Sequence, residues 1–345
     1  MPVQIESSTR PSTAPSHSLD VCVGRYGIVS HLGQGSFGSS FQATDLVTNK
    51  FVVIKVLFPY LTSDESIRDR FVTKTRHLAS ISHSHLSTTL GAYLDGDNVV
   101  VVSDWFEGTN LAECVACDGP IPSELVHVIV HQVANGLSQL HDRENVHGCI
   151  KPSNILLTAD GDVKILDLGL ASLCDDFNHG KPPFYLDEPE LNLVQVRHLA
   201  SVVKALPNID RLSAIDASLS TIAYTAPEGL RNPRMADRRC DIFSLGCIAY
   251  QLLTGQPLDG TASPCDVLNR RLTTDSWGFT DHDLITDDWK RIIKRMIAPK
   301  PEHRIASMPQ LIQELDSMFD DRVPPRPPAF WKKLGYRCLK AFSHR

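Results

Sequence analysis

The stretch HGCIKPSNIL, His147 to Leu156, decides the fold through what stands around it. Asn154 follows Cys149 by five residues, and Asp167 follows it by eighteen, within DLG. APE occupies Ala226 to Glu228, DIFSLG begins at Asp241, and PEHR ends at Arg304. Upstream, GQGSFG spans Gly33 to Gly38, and VVIK places Lys55 on the next strand-like run. Glycines let backbone amides approach phosphates with no Cβ in the way. A lone G-x-G-x-x-G is weak, because a dinucleotide-binding turn fits it too. Here the following segment, SSFQATD, reads as a strand and not as the helix such a turn would open.

This ordered set resembles the eukaryotic-like Ser/Thr protein kinase family, particularly its bacterial members, over residues 25–319. The resemblance implies ATP and Mg2+ as cofactors and phosphoryl transfer by positioning and charge stabilisation. By motif, Gly33, Gly35 and Gly38 would cover the triphosphate, Lys55 would contact its α and β phosphates, and Lys151 would approach the γ phosphate. Asn154 and Asp167 would hold magnesium through hard oxygens. The backbone of Asp104 and Phe106 would meet adenine, with Ser103 as gatekeeper. Glu228 would pair with Arg304, and Asp241 would brace the catalytic loop.

Four positions depart from that pattern. Cys149 stands where the family has the aspartate that accepts the substrate proton; a thiol is mostly neutral at pH 7, and the loss is worth roughly 10²–10⁴ in rate. A reactive thiol activated by His147 and Lys151 is the sharper reading of this cysteine, and a small residue filling the space of Asp the plainer one. Lys74, nine residues before His83, occupies the place of the αC glutamate that would pair with Lys55. Two facing lysines at ~4 Å repel by about 4 kcal/mol at an effective dielectric of ~20, so Lys74 should swing away or the helix should rotate outward. Gly148 replaces the arginine that reads a phosphate on the activation loop, so phosphorylation of Thr221, the threonine before APE, would have little to order. Ser40 and Val53 replace the valine and alanine that sandwich adenine: one loses apolar contact, the other adds bulk. The expectation is a pseudokinase, a regulator or scaffold that holds nucleotide without transferring phosphate. The alternatives are an atypical active kinase and a ligand-free adaptor at the membrane surface.

The periodicities predict an α+β, bilobal architecture. Strand-like runs YGIVSHLG, SSFQATD and KFVVIKVLF suggest an antiparallel meander; a charged helical segment follows at 64–80, and NVVVVSDWF closes the strand-rich part at about Trp105. Helical spacing then takes over, with Ser123 as a candidate N-cap, a largely apolar and therefore buried helix from Asp241 to Gly255, and amphipathic helices at 287–297 and 307–319. The predicted domains are a disordered Ser/Thr/Pro-rich 1–24, a small lobe at 25–104, a large lobe at 105–320 with a long insert at about 175–220, and a tail at 321–345.

The chain has 345 residues, 42% hydrophobic and 21% charged, ordinary for a globular protein. No apolar run reaches a membrane span, and the N-terminus lacks a signal pattern, so a cytoplasmic place is expected. Nine scattered cysteines suit a reducing compartment, and the lone C-x-x-C at Cys114 and Cys117 lacks the second pair that zinc would want. The tail from 322 holds seven of the 34 Lys and Arg and no acid, leaving 27 bases against 40 acids, or −13, for the rest. Within it, Phe330, Trp331, Leu334, Cys338, Leu339 and Phe342 fall mainly on one helical face. That pattern suits an anionic membrane surface or a client protein, and no nucleic-acid partner is expected.

Overall fold

A computed structural model describes residues 22–58, 65–95, 98–170, 221–231, 236–260, 262–273 and 283–318. The N-terminal segment, the insert at about 175–220 and the basic tail lie outside the described residues.

The small lobe is an antiparallel sheet of β1 (Cys22–Val23), β2 (Tyr26–Gln34), β3 (Gly38–Asp45), β4 (Lys50–Leu57), β5 (Thr89–Asp95) and β6 (Asn98–Asp104). Their spatial order is β1-β2-β3-β4-β6-β5, and the expected meander of β2, β3 and β4 is present. Helix α1 (Glu65–Leu78) then intervenes, and β6 returns beside β4 while β5 takes the edge. A buried central strand is apolar on both faces, and β4 obeys this. Val52 and Ile54 enter one cluster with Tyr26, Ala43, Val100 and Val102, while Leu57 enters the other, on the α1 side. Lys55 interrupts that second face and stays 8% exposed, so its ammonium must find a partner inside. Gly38 serves this packing directly. A Cβ there would lie 2.1 Å from the Val56 carbonyl oxygen, so no larger residue fits against β4.

The large lobe is built on α3 (Ser123–His141), α5 (Arg239–Thr254), α7 (Asp287–Met296) and α8 (Met308–Met318), with α2 (Leu111–Asp118), α4 (Pro227–Arg231) and α6 (Pro264–Thr273) around them. Helix α5 is buried nearly all round, as its apolar run requires, and ends on Gly255 at φ +76°. Gly246 lets Ile297 approach so closely that a Cβ would sit 2.7 Å from its Cγ2. Ser123 is the first helical residue of α3, preceded by Pro122 at the cap, and its hydroxyl makes no cap bond. It accepts instead from the indole Nε1 of fully buried Trp289, at 3.0 Å. A three-stranded sheet of β7 (Thr109–Asn110), β8 (Ile155–Leu157) and β9 (Val163–Ile165) carries the loops of the cleft. No helix among the described residues is long and apolar enough to cross a membrane.

One core histidine gives the fold an acid-sensitive point. His127 on α3 is buried at 3% exposure, and burial, with His131 adding to it, pushes its pKa down to about 4 against the pull of Asp316. A histidine whose native pKa is depressed contributes nothing above the unfolded value near 6.5 and destabilises the fold progressively as pH falls toward 4. The loss is expected to reach up to about 3 kcal/mol. Melting at pH 7 and pH 5 should show a fall that His127→Leu reduces, the remainder coming from His83 and His85, whose pKa values burial also lowers; an equal fall in that variant would exclude the residue.

Candidate active site

The loop that begins at His147 is held by one carboxylate. Asp241, at the start of α5 and fully buried, accepts from the backbone amides of His147 at 2.9 Å and Gly148 at 2.8 Å, and lies 2.8 Å from His141 Nε2. Burial alone would push the Asp241 carboxyl up. The bond to His141, the nearby His147 and the Gly148 amide outweigh that and hold it below the usual range. Gly148 sits at φ +71°, where glycine carries no side-chain penalty. His147 is fully buried, with Nε2 2.9 Å from the Leu166 carbonyl, which ties the loop to the residue before DLG.

Cys149 is 5% exposed and belongs to an apolar cluster with Phe37, Phe58, Phe71 and Leu170. Burial pushes its thiol pKa up, and Asp167 and Asp241 add to this against Lys151 and Lys55. The backbone amide of Cys149, not its sulfur, is the group 3.3 Å from His147 Nδ1. The thiol is buried and held neutral, and its sulfur accepts from Asn154 Nδ2 at 3.9 Å, which argues against the reactive-thiol reading.

Lys55 Nζ donates to both oxygens of Asp167 at 2.5 Å. Asp167 holds φ +63°, a strained backbone for a residue with a side chain, kept by its neighbours. Lys74 is exposed. The inward side of α1 is Phe71, Thr75 and Leu78, all buried, with Lys74 at its border. The helix has not lifted away: a Cβ on Gly169 would meet Leu78 Cδ1 at 2.0 Å. Of the two outcomes expected for Lys74, the side chain turns outward while the helix stays packed. Lys55, lacking a glutamate, closes on the DLG aspartate.

Asn154 donates through Nδ2 to the Cys149 carbonyl at 2.9 Å, which leaves its amide oxygen as the atom a cation could use. With the Asp167 carboxylate this is an all-oxygen donor pair, suited to magnesium. The fit is good in residue type. It requires Lys55 to release Asp167 first. Lys151 Nζ, largely buried, lies 3.0 Å from Thr221 Oγ1 and 3.3 Å from Ser36 Oγ, and those two hydroxyls lie 3.1 Å apart. Thr221 thus meets a lysine where the sequence left it without an arginine.

The remaining expected residues are spread around the cleft. Of the glycine-rich segment, Gly35 donates its own amide to Gly38 O at 2.9 Å within the turn. Gly33 begins that turn at φ +141°. Ser40 faces Lys55 in the β3–β4 register. Val53 lines a small cavity with Lys55, Thr89, Ser103, Asp167 and Leu170. Asp104 donates its amide to Thr88 O at 3.1 Å, and the Phe106 ring lies 4.5 Å under Lys164 Nζ. Glu228 and Arg304 form the expected bidentate pair at 2.5 and 2.8 Å. Arg304 also donates to the carbonyls of Ala298, Pro299 and Arg239.

The protein kinase domain family matches residues 26–315. The chain belongs to that family. A protein kinase domain has just this arrangement of strand-rich small lobe, α1 and helical large lobe. Similar relatives include the serine/threonine-protein kinase PknB of Mycobacterium leprae, 25% identical over 95% of this chain and 47% of that protein. Another is the serine/threonine-protein kinase PrkC of Bacillus subtilis, 26% identical over 87% of this chain and 41% of that protein. The chain thus spans about half the length of the curated relatives it matches. The kinase domain of Mycobacterium tuberculosis PknI, a crystal structure, shares the fold at a TM-score of 0.61 and 19% identity, over 88% of this chain and 99% of that one. The Ser36–Thr221–Lys151 cluster and the burial of Phe37 had no sequence signal, since their partners are 115 and 185 residues apart.

Proposed function

We propose that this chain is a pseudokinase: a protein kinase domain that regulates or scaffolds a signalling partner by binding, without transferring phosphate. The observation that carries the reading is the setting of Cys149. The position that should accept a proton holds a neutral thiol, buried among aromatic rings, with its pKa pushed up. Lys55 locked on Asp167 and Lys74 turned to solvent support it, because the charges that would align a triphosphate are spent on each other. ATP and magnesium remain the ligands that the donor set suits: Asp167 and Asn154 would hold the metal, and Lys55 and Lys151 the phosphates. Those ligands would supply charge and order to the cleft, and the chain's own residues would exclude water and hold the lobes together. Without a carboxylate near the acceptor hydroxyl, transfer is expected to be slower by about 10²–10⁴ than in a complete site.

Incubation of the purified chain with γ-labelled ATP, magnesium and a generic Ser/Thr substrate tests this. No label above that of an Asp167→Ala control is expected. Label on the chain or the substrate that Asp167→Ala abolishes would establish an active kinase instead.

A further inference from the structure

The tip of the glycine-rich loop is bound to the large lobe on its polar side and enters, on its apolar side, a cluster that both lobes share. On the polar side the Ser36 hydroxyl lies 3.1 Å from Thr221 Oγ1 and 3.3 Å from Lys151 Nζ. On the apolar side the neighbouring Phe37, 8% exposed, enters the cluster that holds Cys149 and Leu170. The backbone makes this posture firm, with Phe58 N donating to Phe37 O at 3.0 Å and Gly35 N to Gly38 O at 2.9 Å. A flexible loop tip would normally leave a phenylalanine in water and gain nothing by it. Here burial of the ring is favourable, and the charge-assisted bonds from Lys151 fix its register. Phe37 and Cys149 thus lie in one cluster at the junction of the lobes, beside the polar contact that Ser36 makes with Lys151.

We propose that Ser36 and Phe37 form a latch that fastens the small lobe onto the loop at Cys149–Lys151, covering the phosphate end of the cleft until a binding event lifts it. The latch also explains why a small apolar residue suits position 149. A carboxylate in the cluster that holds Phe37 would be desolvated, whereas a thiol packs there. Nucleotide entry and lobe opening become one event, since the triphosphate and the loop tip compete for Lys151. This deepens the pseudokinase reading, but its own measurement needs no turnover.

The test is the rate at which N-ethylmaleimide alkylates individual cysteines of the full chain, followed by mass spectrometry of their peptides. Exposed Cys117 reports free reaction, and buried Cys114 and Cys247 report the large-lobe core. In wild type, Cys149 should react as slowly as Cys114. Phe37→Ala should accelerate Cys149 at least tenfold, and Ser36→Ala should accelerate it less, with Cys114 and Cys247 unchanged in both. Phe37→Leu should restore slow labelling. The latch is overturned if wild-type Cys149 reacts as fast as Cys117. It is also overturned if Cys149 is indifferent to both substitutions, or if all three buried cysteines accelerate together, which is global loosening. Phosphate transfer by wild type would sink the pseudokinase reading and leave this comparison standing.

Discussion

Cys149→Asp is expected to lower stability by about 1–3 kcal/mol and to leave phosphate transfer at background, although it restores the missing acid. The cost follows from desolvating a carboxylate in the cluster of Phe37, Phe58, Phe71 and Leu170. Lys151 is near enough to influence this position, so part of the penalty is offset, and the fold should survive. At roughly 2–4 °C per kcal/mol for a domain of this order, the melting point should fall visibly. Transfer should not follow, because two other parts are absent. Lys55 has no glutamate to hold it off Asp167, and the phosphate end lies under the Ser36–Phe37 tip. Adding Lys74→Glu should help only when the α1 side chain can turn inward, and further gain should come from Phe37→Ala. Calorimetric melting and γ-label transfer, measured on the single, double and triple variants, separate these steps. A single Cys149→Asp chain that transfers phosphate more than 10²-fold above wild type, without loss of melting temperature, would show that one carboxylate was all the site lacked.

Local pattern carried the fold a long way. The order of GQGSFG, VVIK, HGCIKPSNIL, DLG, APE, DIFSLG and PEHR fixed which segment lies where, and the apolar run of α5 announced a buried helix. The Glu228–Arg304 pair and the bracing role of Asp241 were readable for the same reason: motif positions imply partners. Legibility failed where a side chain has several local options and a distant contact chooses. Ser123 is a good N-cap by type, yet Trp289 draws its hydroxyl away, 166 residues along the chain. Lys74 was legible as a conflict with Lys55 but not in its resolution. Turning one flexible side chain to water costs less than unpacking Leu78 from Gly169. The order of β5 and β6 was not legible, since nothing local to either says which of them will sit against β4. Cys149 shows the limit most plainly. Its residue type signalled a missing base, while its burial in one cluster with Phe37, more than a hundred positions upstream, came only from the folded chain.

Asp241→Ala should be the most destabilising single change at the site, costing about 3–5 kcal/mol. The carboxylate is fully buried and serves three donors, the amides of His147 and Gly148 and the ring of His141. Alanine would leave those donors without an acceptor in a region that water does not reach, and an unsatisfied buried donor costs the full desolvation of that group. Asp241→Asn keeps the shape but offers one acceptor oxygen and turns an NH2 toward another donor, so it should lie between wild type and alanine. Urea unfolding should show a lower midpoint with an unchanged slope if the loss is confined to the native state. The acid limb gives an independent check. The native carboxyl is held below its ordinary value, so its contribution is complete above the unfolded pKa of about 4 and is lost as pH falls through the native one. Wild type should therefore lose stability below about pH 4 more steeply than Asp241→Asn, whose group does not titrate, while the decline above pH 4 that comes from His127 should persist in both. An Asp241→Ala chain that unfolds at the wild-type urea midpoint would mean that the loop from His147 holds its shape without this carboxylate. The buried seat of Cys149 would then need another support.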